Sequence, residues 1–174
     1  LYSPSSKCTE SRRVYMKVKK NFLDKEIFLN LQKIVMYDMP FYFNSMVACP
    51  NEKIKKDNFY FYHVLYDKNK INSDFFNKFE PLLEKLKVTS LIRMKANLYT
   101  RTHKLYYHSS HKDYTFDHKG CIYSINTCDG GTYIGDNFYK SVENQVLLFN
   151  PSKPHKSTTC TNTQARFNIN INYV

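Results

Sequence analysis

After residue 90 the chain carries no helical period, and no other feature of the sequence restricts its fold as tightly. Residues 90–99 (SLIRMKANLY), 120–126 (GCIYSIN), 131–134 (GTYI), 145–150 (QVLLFN) and 166–174 (RFNININYV) are short runs rich in β-branched and aromatic residues, punctuated by the turn signals DGG, GDN and NPSKP. Upstream, residues 24–36 place Ile27, Phe28, Leu31, Ile34 and Val35 on one face at helical spacing, with Asp24 as N-cap. A second amphipathic run follows Ser73: Phe75, Phe76, Phe79, Leu82, Leu83 and Leu86 recur every three to four residues, and Pro81 should kink or split it. Between the two, residues 59–66 (FYFYHVLY) read as a strand. Helices first and strands later describe an α+β chain, mainly β, with a C-terminal sandwich or barrel. A length of 174 residues suits one domain. We expect that domain to span 16–174, with 1–15, which has neither period, as a loose arm.

The last strand says more. Side chains alternate across a strand, so Arg166, Asn168, Asn170 and Asn172 share one face and Phe167, Ile169, Ile171 and Tyr173 the other. A row of asparagines needs partners. It either meets water at a sheet edge or lines a polar cavity.

The formal charge of +11 would suit an acidic partner, nucleic acid first. The abundance of Lys, Asn, Tyr, Phe and Ile also fits A/T-rich coding, so the charge reads as a solvated basic surface or as a phosphate footprint. No run of 18 apolar residues is present, and no membrane partner is expected. The five cysteines are odd in number, share no CxxC spacing and follow no secretory leader, which points to a reducing, cytoplasmic setting.

Of six histidines, only His111 opens an HxD triplet, with Asp113. Two residues apart on extended chain, imidazole and carboxylate point the same way and can grip one ion. Alone the triplet is a weak signal. It gains weight from His155, forty-four residues on in NPSKPH, and from Arg166 eleven residues beyond that. Two neutral imidazoles and one carboxylate on one face of an iron(II) ion leave three open positions for a chelating co-substrate and dioxygen.

HxD, distal histidine and basic residue, in this order, resemble the iron(II)- and 2-oxoglutarate-dependent oxygenase superfamily, in particular its prolyl 4-hydroxylase-like branch and the small viral members encoded by bacteriophages. The resemblance runs from about Asn21 to Val174 through FLDKE, NLY, CIYSIN, VLLFNPSKPH and RFNININY. It implies a double-stranded β-helix of the jelly-roll, cupin-like type, with the N-terminal helices outside the major sheet. It implies His111, Asp113 and His155 as iron ligands and Arg166 as the residue that holds the distal carboxylate of 2-oxoglutarate, a task suited to a guanidinium fork. Tyr99 matches a tyrosine that hydrogen-bonds the co-substrate, and Thr132 in DGGT matches a threonine that reaches the same carboxylate. Dioxygen is then a co-substrate and ascorbate a candidate reductant.

Related chains often read IYYLN where this one reads IYSIN, so Ser124 replaces a tyrosine and its contact is lost or passes to Thr132. Three further histidines near the triad in sequence, His103, His108 and His118, read as loop residues. Substrate selection should fall to the N-terminal segments and the loop 101–110. The resemblance favours hydroxylation of a protein side chain, prolyl first. Oxidation of a nucleobase is the alternative, with Tyr106, Tyr107 and Tyr114 as stacking residues. A silent jelly-roll binding module is the third reading, and the intact HxD, distal histidine and arginine speak against it. The oligomeric state is open.

Overall fold

The computed structural model describes residues 16–47 and 58–174, so the expected arm 1–15 lies outside the described residues. The first helix, α1 (Lys25–Lys33), begins after Asp24, whose backbone is extended at φ −60°, ψ 144°. Glu26 in its first turn and Lys33 in its last complement the helix dipole. It runs on into one wider π turn, Ile34–Asp38. Phe28, Leu31, Ile34 and Val35 are buried as the spacing requires, but Ile27, in the first turn on the flank of that stripe, is 36% exposed. Pro81 divides the second run. A tight 3-10 turn, Phe76–Phe79, precedes α2 (Glu80–Leu86), and the proline sits in the first turn of α2, where its missing N–H costs nothing.

The strands are β1 (Lys17–Lys19), β2 (Tyr42–Asn44), β3 (Tyr60–Asp67), β4 (Lys70–Ile71), β5 (Leu91–Thr100), β6 (Lys119–Ser124), β7 (Gly131–Ile134), β8 (Asn137–Lys140), β9 (Gln145–Phe149), β10 (His155–Ser157) and β11 (Ala165–Tyr173). Among the described residues they form an eight-stranded sheet, ordered β1-β9-β6-β11-β5-β3-β2 with β4 on β3, and a three-stranded sheet ordered β10-β7-β8. Every pairing is antiparallel. The described residues are therefore mainly β with two α-helices, and β11, the strand with the asparagine row, is central in the large sheet.

That position settles where the row points. Ile169, Ile171 and Tyr173 join Met94, Ala96, Cys121, Tyr123, Val146 and Leu148 in one apolar cluster with Phe28, Leu31 and Val35 of the first helical segment and Phe79 and Leu82 of the second. Both helical segments thus share one core with this face of the large sheet. Fully burying each such side chain stabilises the fold by about 1.5–3 kcal/mol. The opposite face carries Asn168 and Asn170, in register with Asn97 and Lys95 on β5. There the small sheet packs on the large one, where Ile134 meets Ile122, Leu147 and Phe149. Polar residues line much of the remaining space between the sheets.

Candidate metal centre

His111 and His155 are locked together by the main chain. Each donates its N–H to the carbonyl of the other, at 2.9 Å in both directions. In a hydrogen-bonded antiparallel pair the two side chains emerge on the same side, and the ring centroids lie 4.4 Å apart. Asp113, two residues after His111, is fixed by a bond from its N–H to the Pro151 carbonyl, 3.0 Å. The NPSKP turn can approach this closely because residue 120 is glycine: a Cβ there would lie 2.1 Å from Pro151 Cγ.

The donor atoms of His111, Asp113 and His155 all lie within 4.8 Å of one another. Asp113 Oδ1 is 3.7 Å from His111 Nε2 and 3.9 Å from His155 Nε2. His155 Nδ1 faces the Lys153 carbonyl at 3.0 Å and His111 Nδ1 the Ser109 carbonyl at 3.4 Å. Carbonyl oxygens only accept, so each Nδ1 carries the proton and each Nε2 turns its lone pair to the centre. Burial, reinforced by His155, lowers His111 to about 4, so its imidazole is neutral at neutral pH. For Asp113 burial alone would raise the carboxyl, but Arg93, His155 and Lys95 outweigh it and hold the group at about 2. The carboxylate also accepts from Asn170 Nδ2 at 3.3 Å, and Asn170 Oδ1 accepts from Asn172 Nδ2 at 2.9 Å. His155 Nε2 is buried and has no hydrogen-bond partner. A lone pair left so costs roughly 1–3 kcal/mol unless something binds it. Two imidazole nitrogens and one carboxylate, converging within 4.8 Å of one another, fit a divalent transition metal with open positions.

The centre opens into a cavity of about 350 Å³ between the sheets. Arg166 lies in its wall, on β11, 1% exposed. Its NH1 donates to the Thr158 carbonyl and its NH2 to Thr132 Oγ1, both at 3.0 Å, and Cζ lies 5.3 Å from the centre of the Tyr99 ring. Its Nε has no partner, and among the described residues no carboxylate pairs with it. The six residues singled out from sequence, His111, Asp113, His155, Arg166, Thr132 and Tyr99, all line this one cavity. Ser124 is buried on the same sheet face, in register with Asn168.

Several residues depart from the sequence reading. His108 is 2% exposed and His118 8%: both lie in irregular segments, as read, but are interior groups. His108 Nδ1 meets the carbonyl and hydroxyl oxygens of Ser157, while its ring packs between Tyr99 and Tyr106, and burial lowers it to about 4. His118 bridges the Phe116 carbonyl and Asn172 Oδ1. His103 is exposed. Of the aromatic residues considered for stacking, Tyr107 is 50% exposed, whereas Tyr106 rests on His108, and Tyr114 lies under Arg93. Among the described residues, the cavity lining includes Asn44, Met46, Val47 and Tyr60 from the expected N-terminal segments and none from the loop 101–110. Sequence reasoning passed over Arg93 and Lys95, which also line the cavity. A signal existed: both lie at two-residue steps from Tyr99 on the strand SLIRMKANLY and share its face.

No helix among the described residues is long and apolar enough to cross a membrane. No protein-family model matches the chain, and no curated protein sequence matches it. Solved structures do resemble it. A Trichoplax adhaerens prolyl hydroxylase in complex with a peptide fragment of hypoxia inducible factor aligns with a TM-score of 0.64 at 14% identity, over 91% of this chain and 82% of that one. An oxidoreductase of the 2OG-Fe(II) oxygenase family from Burkholderia pseudomallei aligns with a TM-score of 0.65 at 8% identity, over 91% and 84%. HygX from Streptomyces hygroscopicus, with nickel, 2-oxoglutarate and hygromycin B bound, gives 0.60 at 10% identity, over 92% and 82%. At these identities the likeness is one of fold.

Proposed function

We propose that the protein is an Fe(II)- and 2-oxoglutarate-dependent dioxygenase that hydroxylates a protein side chain, prolyl first, and that its core is a double-stranded β-helix formed by residues 16–174. One observation carries the reading: a fully buried guanidinium without a carboxylate partner shares a single cavity with a convergent His-Asp-His donor set. Burying a charge is costly unless an opposite charge meets it, so Arg166 is built for an anion that arrives from outside. A ligand that is carboxylate at one end and metal chelator at the other satisfies both ends of the cavity. The structures with the same fold include HygX with nickel and 2-oxoglutarate bound and a prolyl hydroxylase in complex with a peptide.

In this reading His111, Asp113 and His155 hold the iron. Arg166 and Thr132 receive the distal carboxylate, and Tyr99 supports the guanidinium with its ring face and directs its hydroxyl to the co-substrate. Bound ferrous iron, with 2-oxoglutarate and dioxygen, supplies the oxidising power to hydroxylate an unactivated carbon while 2-oxoglutarate leaves as succinate and carbon dioxide. The chain supplies geometry and electrostatics. The reciprocal main-chain bonds fix the two imidazoles, Arg93 and Asn170 fix the Asp113 carboxylate, and the packed sheets keep bulk water from the closed end. His111, neutral at physiological pH, has no proton to release when a metal binds.

The test is anaerobic: iron stoichiometry, then titration with 2-oxoglutarate for the visible iron-to-ketoacid absorption band, then succinate formation in air. A protein that binds iron at one equivalent, shows the band and turns over meets the proposal. A protein that binds no iron refutes it.

A further inference from the structure

On the reading just given, the charges of a divalent metal, Asp113, the 2-oxoglutarate dianion and Arg166 cancel one another. The cavity wall holds more cations than these. Arg93 and Lys95 stand two residues apart on β5, on the face shared with Tyr99 and Asn97, and both line the cavity. Among the described residues lining the cavity, Asp113 is the one acid. Arg93 NH2 lies 3.1 Å from Asp113 Oδ1, and its Nε is buried without a partner. Lys95 Nζ has the Tyr60 hydroxyl at 3.4 Å and the Tyr60 ring centre at 5.3 Å, and among the described residues no carboxylate pairs with it. Once a metal shares the Asp113 carboxylate, two neighbouring cations on the wall beside the metal face an open part of the cavity with no anion of their own.

From this we infer that the primary substrate is an acidic peptide, with a side-chain carboxylate on the residue next to the one oxidised, received by Arg93 and Lys95. Position favours a carboxylate close to the target over a nucleic-acid backbone. Arg93 touches a proposed metal ligand, so its partner sits within about a side chain's length of the reacting carbon. A nucleobase presented to the metal would put a neutral ring against these two cations and leave its phosphates outside the cavity, where stacking platforms and basic tracks do the binding. Burial lowers the Lys95 ammonium, with Arg93 acting in the same direction, and a carboxylate placed between them relieves both effects.

Fluorescence anisotropy on the full chain loaded with Mn(II) and 2-oxoglutarate tests this without turnover. Two labelled peptide pools are used, each with a central proline and random outer positions, flanked by Asp in one and by Asn in the other. The Asp pool should bind at least about tenfold tighter, a difference of about 1.4 kcal/mol. In Arg93→Gln and in Lys95→Met that ratio should fall to near 1. The ratio cancels any common loss of metal affinity, and two separate variants guard against one that fails to fold. Equal binding of both pools by the wild type, or failure of both to bind, overturns the proposal. So does a tenfold ratio that survives in both variants, or a loss of 2-oxoglutarate affinity as large as the loss of peptide, which would assign the cations to the co-substrate. A labelled oligothymidylate that binds tighter than either pool, through the same two residues, overturns it in favour of nucleic acid. Metal and 2-oxoglutarate binding by the wild type are measured first: their absence refutes the oxygenase reading itself, whereas their presence with any of the adverse results refutes only the substrate inference.

Discussion

Replacing Arg166 with methionine removes a guanidinium that is 1% exposed and lacks a carboxylate partner, while keeping much of its volume. Two effects on the ligand-free protein oppose each other. The variant gives up bonds to the Thr158 carbonyl and Thr132 Oγ1, worth about 1.5–3 kcal/mol each for a charged donor. It also escapes the several kcal/mol that a buried, unpaired charge costs. The ligand-free Tm should therefore stay close to that of the wild type. Ligand binding does not share this cancellation. Removing one side of a buried charge pair costs roughly 2–5 kcal/mol, so the 2-oxoglutarate Kd should rise by about 30-fold to several thousand-fold. Thermal melts under argon with Mn(II) read both quantities at once. At a concentration of about one hundred times its Kd, 2-oxoglutarate adds about 2.7 kcal/mol to the wild type, some 5–10 °C for a domain of this size. At the same concentration Arg166→Met should shift by no more than about 2–3 °C. Arg166→Lys should recover part of the shift, because a point charge replaces a fork. If the methionine variant keeps the full wild-type shift, the distal carboxylate is not held at Arg166 and the co-substrate assignment fails.

His111→Ala and Asp113→Ala should each abolish stoichiometric iron binding measured anaerobically, because each removes a protein ligand that water replaces poorly. The metal-free protein should gain stability as pH rises from about 4 to 6.5. His108, held down to about 4 against an ordinary 6.5, is neutral in the fold but protonated in the unfolded chain across that window, so low pH favours unfolding. His108→Gln should lower the slope of stability against pH by about one proton, roughly 1.4 kcal/mol per unit, in denaturant melts of the metal-free chain. Gly120→Ala would press a methyl against Pro151 and displace the carbonyl that holds Asp113, so we expect a loss of about 1–3 kcal/mol in stability together with weaker iron binding.

The convergence of His111, Asp113 and His155 was legible because it is written at short range: HxD needs only an extended chain to converge, and His155 and Arg166 follow in a fixed order. The alternation of β11 also gave the asparagine face correctly, but its surroundings depended on strand order, which residue period does not encode. The five strands β1, β2, β4, β8 and β10 went unread. Each is two to four residues long, too short for a period, and exists because a longer neighbour holds it, as β9 holds β1 from Leu148 to Val146. The interior histidines failed for a related reason. His108 and His118 lie in irregular segments, and their burial comes from what packs over them, Tyr99 in one case and the asparagine row in the other. Arg93 and Lys95 looked like ordinary charged positions of a half-exposed strand until the small sheet turned their face into a cavity wall.

The reciprocal pairing of His111 with His155 separates the metal grip from the forty-odd residues between them. The two rings keep their spacing through adjacent main-chain bonds, whatever path the chain takes in between. Within that path, the two-residue turn that joins β7 to β8 projects into open space: Gly135 adopts a φ of +57°, and a Cβ there would have nothing within 4 Å. Extra sequence inserted at this tip would lengthen the excursion while those main-chain bonds keep the two rings paired. Because the turn follows directly on Ile134, which is in register with His155, a probe attached there would stand beside the candidate metal centre and report on it.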